Sequence, residues 1–145
     1  MQCRAGMRLV RQHERPRSLE VCAGIGGLTL GLELAGWECA GLVEIDVRCR
    51  AHLREKWPHV PVFADMRALS GDDLRAVGPV DLLAGGIPCQ PWSIAGKQGG
   101  SDDERDLWPD FLALGLRLGA AALLIENVAG LASDPRGLDR IAGDL

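Results

Sequence analysis

SLEVCAGIGGLTLGLELAG, residues 18–36, is the stretch from which the fold of this chain can be read. SLEVC (18–22) is short and apolar, as a buried strand is, and it runs into AGIGG and then into LTLGLELAG (28–36), whose apolar residues recur at helical spacing as far as Gly36. A strand passing through a glycine turn into a helix is the opening unit of an α/β domain.

The alternation continues from there. CAGLVE (39–44) reads as a second strand, VRCRAHLREKW (47–57) as an amphipathic helix ended by Pro58, and VPVFAD (60–65) as a third strand. GDDLRAV (71–77) is a short helix capped from Ser70. VDLLAG (80–85) is almost wholly apolar, which suits a strand covered on both faces. After a glycine- and proline-rich loop at 86–101, LWPDFLALGLRLG (107–119) forms a helix with Pro109 in its first turn, AALLIE (121–126) a fifth strand, and residues 137–145 open another helix. The expected fold is therefore α/β, a doubly wound, mostly parallel sheet. Ligands in such sheets sit beyond the carboxyl ends of the strands. The five strand exits are AGIGG, Glu44, Asp65, GGIPCQ and Glu126, so the unusual residues of the chain share one rim.

Bulk properties set limits on partners. One domain is expected from 145 residues, and a chain 47% apolar and 25% charged is an ordinary globular mixture rather than a disordered one. The net charge of −4 divides unevenly: five arginines against Glu14 make residues 1–17 a basic leader of net +4, expected to be flexible, and leave −8 on the domain at 18–145. So acidic a body binds nucleic acid poorly by itself. No apolar run of membrane-spanning length and no signal-peptide core is present, and a cytoplasmic protein is expected. The five cysteines form no C-x-x-C pair and the three histidines are scattered, so no metal site is expected and the thiols are expected to be free.

Ala23, Gly24, Gly26 and Gly27 follow a strand and open a helix, where backbone can pass close to a ligand at the positive helix end. Glu44, 20 residues after Gly24, stands where an acid accepts from ribose hydroxyls, and Asp65 where it accepts from a purine amine. Together they point to an adenosine-type ligand; the competing reading is a tight turn beside two solvated acids. These residues do not separate a nicotinamide cofactor from S-adenosylmethionine, although G-x-G-G falls short of the dinucleotide fingerprint.

GGIPCQPWS (85–93) holds Cys89 between Pro88 and Pro91, with Gln90 restrained between them. A stiff loop of this kind fixes a sulfur in place, though a lone cysteine is also a common small hydrophobe in a turn. Glu126 ends an apolar strand, so its carboxyl is expected to be partly desolvated, hence raised and able to donate, with Asn127 fixing it by a hydrogen bond. The plainer alternative is an acid meeting solvent at a strand end. Trp57, Trp92 and Trp108 read as packing residues, and SDDERD (101–106) as a solvated helix entry.

Taken in order, these segments resemble the catalytic half of the DNA cytosine-5 methyltransferases: AGIGG, then EID (44–46), FAD (63–65), GGIPCQPWS, DDERDLW and ENV (126–128). Pro-Cys-Gln followed by Glu-Asn-Val on the next strand is the specific part, and the likeness runs from residue 18 to about 132. The resemblance implies the S-adenosylmethionine-dependent methyltransferase form of the fold, with Cys89 adding to carbon 6 of a cytosine flipped from double-stranded DNA. It also implies Glu126 on the ring edge, with Pro88, Gln90, Ser93, Arg105 and Asn127 in support. Ala23, Gly24, Gly26 and Gly27 would cradle the cofactor, with Glu44 on the ribose, Ile45 against the adenine, Asp65 on its amine and Leu107 nearby. Two residues depart from the family pattern: Cys22 stands where an aromatic is usual, and Glu20 where aspartate is common. The recognition domain and the later arginine motif are not among these 145 residues. The expectation is thus a catalytic fragment or split-enzyme subunit, needing a complementary polypeptide and inactive alone. A non-enzymatic remnant and a nicotinamide-dependent oxidoreductase are the alternatives.

Overall fold

The computed structural model describes residues 15–87, 106–127 and 135–145. Five strands, β1 (Arg17–Val21), β2 (Glu38–Val43), β3 (Val62–Phe63), β4 (Leu82–Gly85) and β5 (Ala122–Ile125), form one sheet in the order β3-β2-β1-β4-β5. Every pairing is parallel. The helices are α1 (Gly27–Leu34), α2 (Val47–Lys56), α3 (Gly71–Val77), α4 (Trp108–Leu118) and α5 (Pro135–Asp144).

The chain steps outward from β1 to β3, then returns to the far side of β1 for β4 and β5. Right-handed crossovers therefore deliver the helices to both faces. On one face Leu19, Val21, Val43 and Leu83 pack with Val77 of α3 and with Phe111 and Leu114 of α4. On the other, Cys39 and Leu42 meet Leu53 of α2 and Trp57, the residue that follows it. Leu19, Leu83 and Phe111 are fully buried, each stabilising the fold by about 1.5–3 kcal/mol relative to exposure. The strand order reverses between β1 and β4, and it is there that such sheets open a crevice at their carboxyl rim.

The α/β class and its parallel sheet are as read from the sequence, and most element ends agree within two residues. β3 is the most shortened, with each end two residues inside the expected span. Six residues were expected and only Val62 and Phe63 pair, with Leu42 and Val43. Pairing stops where the Asp65 side chain turns back to accept the Arg67 N–H and starts a 3-10 turn at Met66–Ala68. Arg17, placed in the leader by composition, opens β1: its backbone N–H donates to Asp81 and its guanidinium to Glu38 and the Pro79 carbonyl. Ser70 caps α3 as expected, in a reciprocal box with Asp73. Among the described residues β5 is an edge strand with alternate residues exposed, Leu124 included. No helix of the described residues is long and apolar enough to cross a membrane.

Candidate active site

The glycine turn after β1 is built by two buried acids. Gly26, the residue capping α1, has no side chain to satisfy the first helical N–H groups. Glu20 does this from the neighbouring strand: its Oε2 accepts from the Thr29 backbone N–H at 2.8 Å and from the Thr29 hydroxyl. Glu44, just past β2, accepts from the Gly24 N–H at 2.7 Å through one oxygen and from the Asp46 N–H at 2.8 Å through the other. Both acids are less than a tenth exposed. Glu44 thus spends one acceptor site of each oxygen on holding the turn, and each oxygen keeps one lone pair for a ligand.

Gly26 has to be glycine on two counts. Its φ is +87°, and a Cβ there would lie 2.5 Å from the ring of Trp57. Trp57 is buried beneath the turn, with its indole N–H on Glu33 at 3.0 Å, which makes it the packing residue the sequence suggested. Cys22, also at positive φ (+53°), carries the chain from β1 into the turn.

Burial holds the Glu20 carboxyl above its ordinary value of 4.5, against the opposing pull of the Thr29 hydrogen bonds and with Glu44 adding to the rise. For a raised folded-state value, the stability contribution is fully present below the unfolded value and is lost as pH rises through the folded one. Glu20→Gln should therefore remove a loss of stability that begins above about pH 4.5. Urea unfolding at acid and neutral pH checks this: the wild-type midpoint should fall relative to the variant as pH rises, and parallel profiles would rule it out.

Beyond the turn lies a cavity of about 270 Å³, close to the lower end of small-ligand sites. Val21 and Cys22 line it from the end of β1, Val43, Glu44 and Ile45 from the end of β2 and just past it, Ala64 to Arg67 from beyond β3, and Leu107 from the approach to α4. The structure thus brings Glu44, Ile45, Asp65 and Leu107 to one pocket, as read from the sequence. Ala23, Gly24, Gly26 and Gly27 are not among its lining residues; of these, Gly24 holds Glu44 through its N–H.

Arg67 and Met66 went unread in the sequence. Arg67 grips Asp65 through Nε and Nη2, at 3.1 Å to Oδ1 and 3.0 Å to Oδ2, and its backbone N–H donates to the same carboxylate. These bonds hold the Asp65 carboxyl below its usual range, so it is an acceptor, already partly engaged. An acid followed at i+2 by arginine at a strand exit was the available signal. Burial and the nearby Glu44, Glu20 and Asp65 push the Cys22 thiol up to about 11, leaving a small neutral group in the pocket wall.

Cys89, Pro88, Gln90, Ser93 and Arg105 lie outside the described residues, as does Trp92. What can be placed is the ground on either side. The Glu126 N–H donates to the Gly85 carbonyl at 3.0 Å, and the Asn127 amide donates to the Ile87 carbonyl at 3.2 Å. The Glu126 Oε2 lies 3.1 Å from where a Cβ on Gly86 would stand. The exit of β5 is therefore stitched to the chain two to four residues before Cys89. The expectation of a partly desolvated Glu126 is corrected: its residue is exposed, because β5 is a sheet edge whose rim nothing described covers.

Comparison with known proteins agrees with this arrangement. Over 120 residues the chain is 46% identical to the type II methyltransferase M.NgoMIV of Neisseria gonorrhoeae, covering 82% of this chain and 37% of that protein. It is 45% identical over 125 residues to M.NaeI of Lentzea aerocolonigenes, covering 81% and 29%. The chain thus spans about a third of the length of these relatives. A prophage-encoded DNA modification methyltransferase structure from E. coli superposes with a TM-score of 0.70 at 28% identity, over 88% of this chain and 36% of that one. The model of the C-5 cytosine-specific DNA methylases matches residues 17–142, from the first residue of β1 into α5. A match that takes in every strand of the sheet, with the pocket at its rim, establishes that the chain belongs to the C-5 cytosine-specific DNA methylase family.

Proposed function

We propose that this chain supplies the cofactor-binding and nucleophile-bearing part of a cytoplasmic DNA cytosine-5 methyltransferase. The observation that carries the proposal is the shared rim: a pocket lined by Glu44, Ile45, Asp65 and Leu107 opens beyond β1–β3, and Glu126 sits against Gly86, three residues from Cys89.

The pocket suits S-adenosylmethionine. Ile45, Leu107 and Cys22 offer an apolar slot for a purine, Glu44 keeps acceptor sites for ribose hydroxyls, and Asp65 is an anionic acceptor for an exocyclic amine. When bound, the cofactor supplies the methyl group.

The remaining chemistry is that of the protein and the base. The Cys89 thiolate adds to carbon 6 of a flipped cytosine, and the ring electrons move to carbon 5, which becomes nucleophilic. Glu126 hydrogen-bonds nitrogen 3 and the exocyclic amine, stabilising the charge that develops there. After methylation a base removes the carbon 5 proton, the double bond reforms and Cys89 leaves as thiolate. Pro88, Gln90, Ser93 and Arg105 are assigned supporting roles by their place in the motifs around Cys89, and the Asn127 amide braces the Ile87 carbonyl two residues before Cys89.

Selecting and flipping a base in duplex DNA falls to the length that the relatives have beyond these residues. Calorimetry with S-adenosylmethionine, S-adenosylhomocysteine and NAD tests the cofactor assignment; binding of NAD alone would overturn it. Methyl transfer to DNA is expected to appear when that length is supplied, fused to this chain or as a complementary polypeptide, and its absence in both forms would sink the proposal.

The thiols provide a further check. Burial pushes Cys22 and Cys39 up to about 11, so both should resist alkylation at neutral pH. A nucleophilic Cys89 should react with iodoacetamide about tenfold faster or more, as read by peptide mass spectrometry. Labelling of Cys22 or Cys39 ahead of Cys89 would count against its activation.

A further inference from the structure

Leu107 closes one side of the pocket from the N-cap position of α4, where its own side chain makes no capping bond. Besides the Phe111 N–H on its carbonyl at 2.9 Å, part of what holds it comes from α5. Asp106 and Trp108, the residues on either side, are each tied to that helix. Arg140 Nη1 donates to Asp106 Oδ2 at 2.5 Å, and the Trp108 indole N–H donates to Asp144 Oδ2 at 2.7 Å. The other Asp106 oxygen accepts from the Trp108 backbone N–H at 3.2 Å, so one carboxylate both caps α4 and receives the guanidinium.

Arg140 and Asp144 are one helical turn apart, and Ile141 between them packs against the main core. The Asp106 side chain is 9% exposed and that of Arg140 26%, so this pair is shielded far better than a surface ion pair. Trp108 is buried and stacked on Phe111, and cannot shift without disturbing the core.

We propose that Arg140 and Asp144 are positioning residues for the cofactor pocket: α5 clamps the Asp106–Leu107–Trp108 segment at both ends and thereby holds Leu107 against the ligand. The inference rests on the pocket being the cofactor site. Without the clamp, the segment samples arrangements in which Leu107 leaves the wall, and apparent affinity falls in proportion to the fraction still competent.

The test uses the 145-residue chain and S-adenosylhomocysteine, with affinity by calorimetry and amide exchange by mass spectrometry. Arg140→Ala is expected to weaken binding about tenfold, as when the competent arrangement falls to about a tenth of molecules, and to speed exchange at 106–108 while β1 is unchanged. Arg140→Lys should recover most of the affinity, as should the exchanged pair Asp106→Arg with Arg140→Asp. In a Leu107→Ala background, Arg140→Ala should add no further loss; a purely structural role for the ion pair would subtract the same amount in both backgrounds. Should Arg140→Ala fail to fold, Asp144→Ala, at an exposed position, carries the same expectation through Trp108. Wild-type affinity retained in both variants, with unchanged exchange at 106–108, would overturn the clamp alone. Failure of the unaltered chain to bind S-adenosylhomocysteine would overturn the cofactor reading and the clamp with it.

Discussion

Cys89→Ser is expected to abolish covalent capture by duplex DNA carrying 5-fluorocytosine, in the presence of S-adenosylmethionine and with the remaining length of the relatives supplied. The unaltered protein should accumulate the adduct. Fluorine on carbon 5 cannot leave as a cation, so after methylation the base cannot eliminate the nucleophile and the sulfur stays attached. A serine hydroxyl has no comparable anion near neutral pH and does not add to carbon 6. Methyl transfer to ordinary DNA should fall by about 10³-fold or more, the range in which removing an enzymatic nucleophile lies. Glu126→Gln keeps the nucleophile and weakens the support of the ring edge, so capture should slow without vanishing. An adduct formed by Cys89→Ser, separated by denaturing electrophoresis and mapped by mass spectrometry, would show that another group attacks.

Gly26→Ala should be the most damaging single change to the fold among the rim glycines. The backbone there has φ +87°, where a Cβ costs about 1–2 kcal/mol. The added methyl would also stand 2.5 Å from two ring carbons of Trp57 and 3.1 Å from Leu53, and relieving such a clash costs about 1–3 kcal/mol more. Against a total stability of about 5–15 kcal/mol this is a large fraction. Displacing Trp57 also pulls its indole from Glu33 and shifts the start of α1, so the Gly24 contact that orients Glu44 should loosen too. Gly27→Ala is the matched control. It opens α1 with nothing within 4 Å of the added carbon and should change stability by less than about 0.5 kcal/mol. Urea unfolding followed by tryptophan fluorescence measures both, and equal midpoints for the two variants would remove Trp57 from the explanation.

Those two glycines show what a sequence reading resolves. Both belong to the same AGIGG turn, and spacing alone gives them one role. The left-handed backbone of Gly26 and the packing of Trp57, 31 positions beyond it, tell them apart. Glu44 and Asp65 divide in the same way. Their place at strand exits follows from apolar runs that end in an acid, and both do line the pocket. That Glu44 already accepts from Gly24 and Asp46, and Asp65 from Arg67, is a matter of geometry at the rim. The expected burial of Glu126 failed for a related reason. An apolar strand implies a buried strand only when both its faces and its rim are covered, and β5 is an edge.

The sequence by itself determined the alternation of strands and helices, the parallel sheet, and the strand exits at which Glu44 and Asp65 meet. Periodicity and glycine turns are written in neighbouring residues, and once the crossovers are right-handed, strand exits have only one side on which to gather. The tertiary structure decided which partner each polar group takes: Glu20 with Thr29, Glu44 with Gly24, Trp57 with Glu33, and Arg140 with Asp106 across 34 positions of chain. Such pairs depend on where two elements lie when the core has closed, and no local pattern encodes that distance. The clamp on Leu107 belongs wholly to this second kind, because its two ends come together only when α5 packs against the start of α4.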